Sequence, residues 1–246
     1  MVVAAIKGAI GFLTTLPAGL DEPSWDSFRR RSWVAVVVGY VVGVLVSLPI
    51  VLCGRAPLAA FGYVLSLVLV TGIAHLDGLT DLADAIAVHG PREDRIAALG
   101  DSAIGVGGAV AVTLTILGLY TLGWIVGSDV RLVGLIVAAE VSAKWAMILA
   151  LRRGTPRHDG LGSAMGERTT TRTALLASAL AMPAAVLTWP SPAGAVAVLS
   201  GVPVAATLVS VSTDRLGGIN GDVLGATNEV ARLVALTTGV IAWTHL

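Results

Sequence analysis

The sequence predicts an all-α, polytopic membrane bundle, and three observations carry that prediction. Hydrophobic residues make up 55% of the 246-residue chain, charged residues only 13%, and the mean hydropathy is +0.85; a soluble domain carries roughly 25% charged residues. Six or seven stretches approach the roughly 20 mostly apolar residues that a helix needs to cross about 30 Å of hydrocarbon. Val-rich runs such as VAVVVGYVVGVLV would read as strands in water. In lipid an open strand leaves its backbone unsatisfied, so the helix prevails.

The elements follow in order. Residues 1–16, MVVAAIKGAIGFLTTL, hold Lys7 inside the apolar run with no small-residue cleavage pattern behind it, so they read as a retained interfacial or re-entrant helix. The expected spans are 33–53, 57–76, 104–127, 130–151, 173–189, 193–211 and 230–246. The last is the weakest, being short and carrying Arg232. No fixed-period repeat or low-complexity linker interrupts them, so one membrane domain over 1–246 is expected.

Sixteen basic and sixteen acidic residues cancel, which leaves no overall field to attract nucleic acid. The single Cys53 excludes an internal disulfide and any multi-cysteine metal site. Arg29, Arg30 and Arg31 precede the first span, and the loops on the same side hold Arg92, Arg95, Arg152, Arg153, Arg157, Arg168, Arg172 and Arg215, against Arg55 and Arg131 opposite. Basic residues favour cytoplasmic loops. The expectation is a multi-pass protein of the cell membrane with its polar loops in the cytoplasm.

One of those loops begins HLDGLTDLADA. If the helix of 57–76 continues, Asp77, Asp81 and Asp84 fall at i, i+4 and i+7 and share a face within about 60°. Like charges so placed repel, and a hard divalent cation such as Mg²⁺, Mn²⁺ or Ca²⁺ relieves them. A solvated acidic turn is the bland alternative. His75 lies about 160° from Asp77 on an ideal helix, so it suits a hydrogen-bonding or basic role better than metal ligation.

Asp101 and Ser102 stand just ahead of Gly105, Gly107 and Gly108. They serve as an ordinary helix N-cap or belong to a site where glycine amides at a positive helix terminus meet phosphate. Arg92 and Arg95 suit phosphate oxygens or lipid headgroups. Glu140 and Lys144, at i,i+4 inside a span, form a self-neutralising pair that pins two helices, or a substrate contact. Two more polar loops, RRGTPRHDGLGSAMGERTTTR with Arg157, Gly160 and Gly162, and DRLGGINGDVLGATNEVAR with Asn220 and Asp222, bring glycine-lined backbone close to a ligand. Three such loops above one bundle point to a shared site: acids for a metal, arginines for an anionic, phosphorylated substrate.

HLDGLTDLADA, GDSAIG, DGLG and GGINGDVLGATNE, in this order among hydrophobic spans, with FLTTLP near the start, resemble the cobalamin synthase (adenosylcobinamide-GDP ribazoletransferase) family over nearly the whole chain. The resemblance implies an Mg²⁺-dependent phosphotransferase of late cobalamin biosynthesis. In it a hydroxyl of α-ribazole, or of its 5'-phosphate, attacks the phosphorus nearer cobinamide in adenosylcobinamide-GDP, and GMP leaves. It also implies that Asp77, Asp81, Asp84 and Asp101 are the metal and catalytic carboxylates, with Asp84 or Asp81 as an alternative base. His75, Arg95, Ser102, Arg157, Gly160, Gly162, Asn220 and Asp222 would then contact substrate. The chain departs from the family pattern at Gly100 and Ala103, where basic residues are frequent, and at Lys144, where arginine is common. A phosphate contact would then come from elsewhere, such as Arg95. A homo-oligomer is compatible with the sequence. The rivals are a CDP-alcohol phosphotransferase-like lipid synthase, whose D-G-x-x-A-R run is absent, and a cation-coupled transporter, which predicts acids at midplane whereas these gather at one surface.

Overall fold

In the computed structural model, residues 2–157, 161–166 and 168–246 are described, and all regular structure among them is helical. The N-terminal pair is α1 (Val2–Leu13) and α2 (Glu22–Arg29). Asp21 caps α2 in a reciprocal capping box with Ser24, and its carboxylate also binds Lys7 of α1 at 2.5 Å. The lone charge in the first apolar run therefore ties α1 to the start of α2. At 12 residues α1 is about 18 Å long, too short to cross a bilayer, in keeping with an interfacial helix.

The spans expected at 33–53, 104–127, 130–151 and 193–211 appear as α3 (Val34–Leu52), α7 (Val106–Ser128), α8 (Val133–Arg153) and α11 (Ala193–Leu216). Among the described residues these are the four helices long and apolar enough to cross a membrane. The stretch 57–76 does not run straight. It is α4 (Ala56–Thr71) followed, after a 95° bend, by α5 (Ala74–Ala87), and together they would count as a fifth span. Gly72 makes the bend at φ +69°, a conformation that costs glycine little. Three aspartates on α5 argue that this arm lies at the membrane surface, since carboxylates in hydrocarbon are expensive.

Two expected spans are corrected. The stretch 173–189 is the 11-residue α10 (Thr171–Ala181) and a 3-10 turn, Met182–Val186. Pro183 lacks the amide that would continue the α-helix. The stretch 230–246 is the second half of a 25-residue helix, α12 (Gly221–His245), which is long enough to span but carries Asp222, Glu229 and Arg232. Two short helices, α6 (Arg92–Leu99) and α9 (Leu161–Gly166), complete the order.

Helix α8 is the axis of the bundle. It packs against α3, α11 and α12, while α12 also packs on α5 and α7. Small residues permit this: Ala138, Ala139, Ala143, Ala146 and Ala150 of α8 are all buried, and close helix packing in lipid relies on such residues. The outside is oily. Leu58, Phe61, Leu65 and Leu69 of α4, and Val106, Val110, Leu114 and Leu117 of α7, are exposed at helical spacing. Apolar stripes of this extent mark a lipid-facing surface.

Candidate active site

The bend at Gly72 delivers α5 to the end of the bundle where α12 begins. Asp77, Asp81 and Asp84 all lie on α5, so they share a helix face as their spacing predicts, although that helix is not a continuation of α4. Helix α5 lies close against α12 at Gly78, where a Cβ would meet the Asp222 carbonyl oxygen at 2.7 Å. Glycine lets the two backbones touch and sets Asp222 beside the α5 carboxylates. Asp81 registers the crowding. Burial first, then the charges of Asp77, Asp222 and Asp84, push its carboxyl up to about 6. Gly78→Ala should therefore lower turnover by about 10- to 100-fold, because a displacement of about 1 Å in a reacting group has effects of that size. Initial rates in lipid vesicles would show it, and an unchanged rate would mean that the α5–α12 contact does not position the site.

Asp84 has a different occupation. Its carboxylate accepts the backbone N–H of Gly105 at 2.8 Å and of Gly108 at 2.9 Å, capping α7 from a neighbouring helix. Two of the three glycine amides that the sequence offers to a phosphate, those of Gly105 and Gly108, are filled by the chain's own carboxylate. Asp101 and Ser102 do not cap α7 either: the N-cap is Gly105, and Asp101 accepts the Ala103 N–H at 3.0 Å within its own turn. Asp101 and Asp84 line a common open cavity of about 310 Å³, and Ser102 is exposed beside it. Asp84→Ala is expected to reduce stability by about 1–2 kcal/mol, the range for losing a helix cap, with Asp84→Asn falling between it and the unsubstituted chain. Thermal unfolding in detergent without divalent ions is the measurement, and an undisturbed midpoint for Asp84→Ala would refute the capping role.

The three polar loops do converge. A parallel bridge joins Pro156 to Ile219, with the Arg157 N–H donating to the Ile219 carbonyl at 3.0 Å and the Ile219 N–H to that of Thr155 at 2.9 Å. Arg157, Gly100, Asn220 and Asp222 then line one cavity of about 340 Å³. The Arg157 Nε is buried without a hydrogen-bond partner among the described residues. Asn220 is the N-cap of α12, its Oδ1 accepting the Val223 N–H at 3.1 Å, and its Nδ2 donates to Asp222 at 2.7 Å. Arg95 donates to the Ile86 carbonyl at the end of α5 at 3.1 Å. Arg92 donates to the Asp214 carbonyl at 3.1 Å, bracing the end of α11. Gly160 lies outside the described residues. Gly162 belongs to α9.

On the other side of Gly221 and Asp222 is a second cavity of about 310 Å³, lined by His75, Asp77 and Asp222 and otherwise largely by apolar side chains. His75 is placed where it meets this cavity, its Nδ1 buried and without a hydrogen-bond partner among the described residues. Burial, with Lys144 and Arg232 nearby, holds its imidazole well below the ordinary histidine range, so its 4.0 Å approach to Glu229 is not an ion pair.

Beneath His75 lies a polar network that the sequence showed only in part. Lys144 is 4.0 Å from Glu140 and instead donates to Asn228 at 2.6 Å. Glu140 is gripped by Arg232, which also bonds Glu229, and Asn228 donates to Glu229 at 3.0 Å. All five side chains are buried. Two acids and two bases balance, so the network pins α8 to α12 without net charge. The self-neutralising pair read from α8 is thus half of a four-charge cluster. Glu229 and Arg232, at i,i+3 in a span, were the signal for the other half.

Asp77, Asp81 and Asp222 offer oxygen donors alone, the chemistry of a hard divalent ion. Among the described residues no three histidine, cysteine or carboxylate groups converge as a complete metal cage. Mg²⁺ typically takes one or two carboxylates and completes its shell with water and substrate phosphates, so this donor set fits an ion shared with a phosphorylated substrate.

An apolar helical bundle with carboxylates and an arginine lining cavities at one end is a membrane protein with a polar site for charged groups, and its relatives make it a transferase. The chain belongs to the cobalamin-5-phosphate synthase family, whose model matches residues 5–240. It is 48% identical to the adenosylcobinamide-GDP ribazoletransferase of Halorubrum lacusprofundi over the full length of both chains. It is 42% identical to that of Haloquadratum walsbyi over 99% of each, and 32% identical to that of Archaeoglobus fulgidus over 98% of each. No solved structure matches.

Proposed function

We propose that this transferase joins adenosylcobinamide-GDP to α-ribazole or its 5'-phosphate, with Mg²⁺, at the cytoplasmic face of the cell membrane. A ribose hydroxyl oxygen forms a bond to the phosphorus nearer cobinamide, the bond from that phosphorus to the bridging oxygen breaks, and GMP leaves with the electron pair. The hydroxyl proton passes to a carboxylate. The observation that carries this reading is the position of Asp222 in a chain of this family. It lies beside Asp77 and Asp81 and lines both the cavity that holds Arg157 and the apolar one.

The division of labour follows from chemistry. Arg157, with Arg95 at the edge, attracts and orients the pyrophosphate, since guanidinium forks match phosphate oxygens. Asp77 and Asp81 would hold Mg²⁺, which when bound neutralises charge on the pyrophosphate oxygens. Asp222, facing both cavities, is placed to accept the proton, oriented by the amide of Asn220. Asp84 and Asp101 act at the entrance of α7, and Asp84 contributes to catalysis by holding that helix in place.

The test is direct. Purified protein in lipid vesicles, given adenosylcobinamide-GDP, α-ribazole and Mg²⁺, should release GMP and form the joined product in equal amounts. Folded protein that yields neither would sink the reading. Turnover of a CDP-alcohol or cation-coupled uptake in its place would favour one of the rivals.

A further inference from the structure

The segment FLTTLP, residues 12–17, carries no charge and no metal-ligating side chain, yet it meets the place where α4 turns into α5. Its two threonines divide the work. Thr14 is buried and finishes α1 locally: its hydroxyl donates to the Ile10 carbonyl at 2.6 Å and accepts the Leu16 N–H at 3.2 Å. Thr15 reaches α4. Its N–H donates to the Val70 carbonyl at 2.8 Å, and its hydroxyl donates to the Leu69 carbonyl, with that of Val70 at 3.3 Å. In an unbroken helix these two carbonyls would accept the amides four positions on, those of Ile73 and Ala74. The 95° bend ends that ladder, and the Gly72 N–H, donating to Val68 at 3.0 Å, caps α4. Carbonyls without a donor are costly beside hydrocarbon, and Thr15 supplies both donors. The approach is close: a Cβ on Gly72 would lie 3.3 Å from the Thr15 methyl.

We propose that Thr15 is a positioning residue for the transfer reaction: by holding the Leu69 and Val70 carbonyls it fixes the α4–α5 bend, and through the bend it sets where Asp77 and Asp81 stand relative to Asp222. The proposal rests on the transferase reading above and adds a residue to the same site. Two features support it. Helix α5 has no cap of its own, since Ile73 stands at the N-cap position with no side-chain hydrogen bond. Its start is therefore held from outside, by Thr15 at the bend and by α12 at Gly78. Asp77 sits in the first turn of α5 and Asp81 one turn further on, so a shift at the bend is passed directly to both. Thr15 is also anchored well enough to act as a bracket. At Gly8 the first helix packs so closely on α2 that a Cβ there would run into the Ser24 carbonyl, and Phe12 stacks on Trp25 at 4.8 Å. The N-terminal pair α1 and α2, whose sequence suggests only a membrane anchor, thereby sets the geometry of the carboxylates. Thr15 itself touches no substrate; it acts through α5.

Two measurements on the full-length protein in lipid nanodiscs test this. Thr15→Val keeps the size of the side chain and removes its donor, Thr15→Ser keeps the donor, and Thr15→Ala serves if the valine variant does not fold. The first measurement is amide hydrogen exchange, which needs no turnover. In Thr15→Val the amides of residues 73–78 should exchange at least about fivefold faster, while those of α8 and α11 keep their rates. The second is steady-state kinetics. Thr15→Val should lower kcat about tenfold, a fraction of the effect of a full 1 Å displacement, and raise the Mg²⁺ concentration for half-maximal rate severalfold. The KM for adenosylcobinamide-GDP should stay within about twofold, because Arg157 is held by Ile219, away from the bend. Thr15→Ser should return every value to within about twofold of the unsubstituted chain. Unchanged exchange at 73–78 in a folded variant without the hydroxyl overturns the proposal. So does faster exchange there with an unchanged kcat, which would make Thr15 a contact of the fold alone, and so does a uniform rise in exchange across all helices, which would make the loss of rate a loss of folded protein. Unsubstituted protein that releases no GMP would sink the transferase reading, while the exchange at 73–78 would still decide whether Thr15 holds the bend.

Discussion

Asp77→Asn and Asp81→Asn, each in lipid-embedded enzyme, are expected to lower GMP release by about 100- to 1,000-fold or more. That is the size of effect seen when one group that stabilises transition-state charge is removed. The substitutions keep shape and hydrogen-bonding capacity while removing charge. For Asp81→Asn the effect on folding should have the opposite sign to the effect on rate. Asp81 has its carboxyl pushed up to about 6 by burial and by the charges of Asp77, Asp222 and Asp84. An acid whose folded pKa is raised from 3.8 stabilises the fold most below that ordinary value, and the benefit disappears as pH rises through about 6. At neutral pH without divalent ions, Asp81→Asn should therefore unfold at the same temperature as the unsubstituted chain or a higher one. Added Mg²⁺ should raise the unfolding midpoint of the unsubstituted chain, because a ligand of the native state stabilises it, and raise that of the variant less. Initial rates paired with thermal unfolding, with and without Mg²⁺, separate these effects. Near-normal turnover in both variants would remove these aspartates from the catalytic site.

Arg232→Leu should have the largest effect on stability, about 3–5 kcal/mol, the range for stripping one partner from a buried ion pair. Arg232 bonds both Glu140 and Glu229, and without it the two acids have Lys144 as the remaining cation of the cluster. Lys144 bonds Asn228, not an acid. The double change Glu140→Gln with Arg232→Leu should recover a measurable part of the loss, because it removes one of the stranded charges along with its partner. Denaturant unfolding in mixed micelles gives both values. If Arg232→Leu proves as stable as the unsubstituted chain, the α8–α12 network is not holding the bundle. Activity should fall with stability, since α12 carries both this network and Asp222.

Much of this architecture was legible one stretch at a time. Hydropathy located α3, α7, α8 and α11 within a few residues, because a lipid-crossing helix is dictated by composition over its own length. The motif HLDGLTDLADA announced a one-faced carboxylate row because helical spacing is a local property. What escaped was the particular partner that each side chain finds at a distance along the sequence. No local rule tells that Asp84 meets the amides of Gly105 and Gly108, because the two helices are brought together only by packing. Arg232 counted against a terminal span because its neutralising acids, Glu140 among them, are far from it along the chain or were read as separate features.

The sequence by itself determined the class of fold, the kinship with cobalamin-5-phosphate synthases and the residue types available for chemistry, since burial in lipid and helical periodicity act over a turn or a span. Only the tertiary structure decided how those residues are divided. The 95° bend at Gly72 and the close contact of Gly78 with α12 bring Asp77 and Asp81 to Asp222. The packing of α1 and α2 closes an apolar cavity beside them. A site is a meeting of surfaces from separate helices, and which surfaces meet is settled by packing, where each helix finds the neighbours that bury its small residues and neutralise its charges.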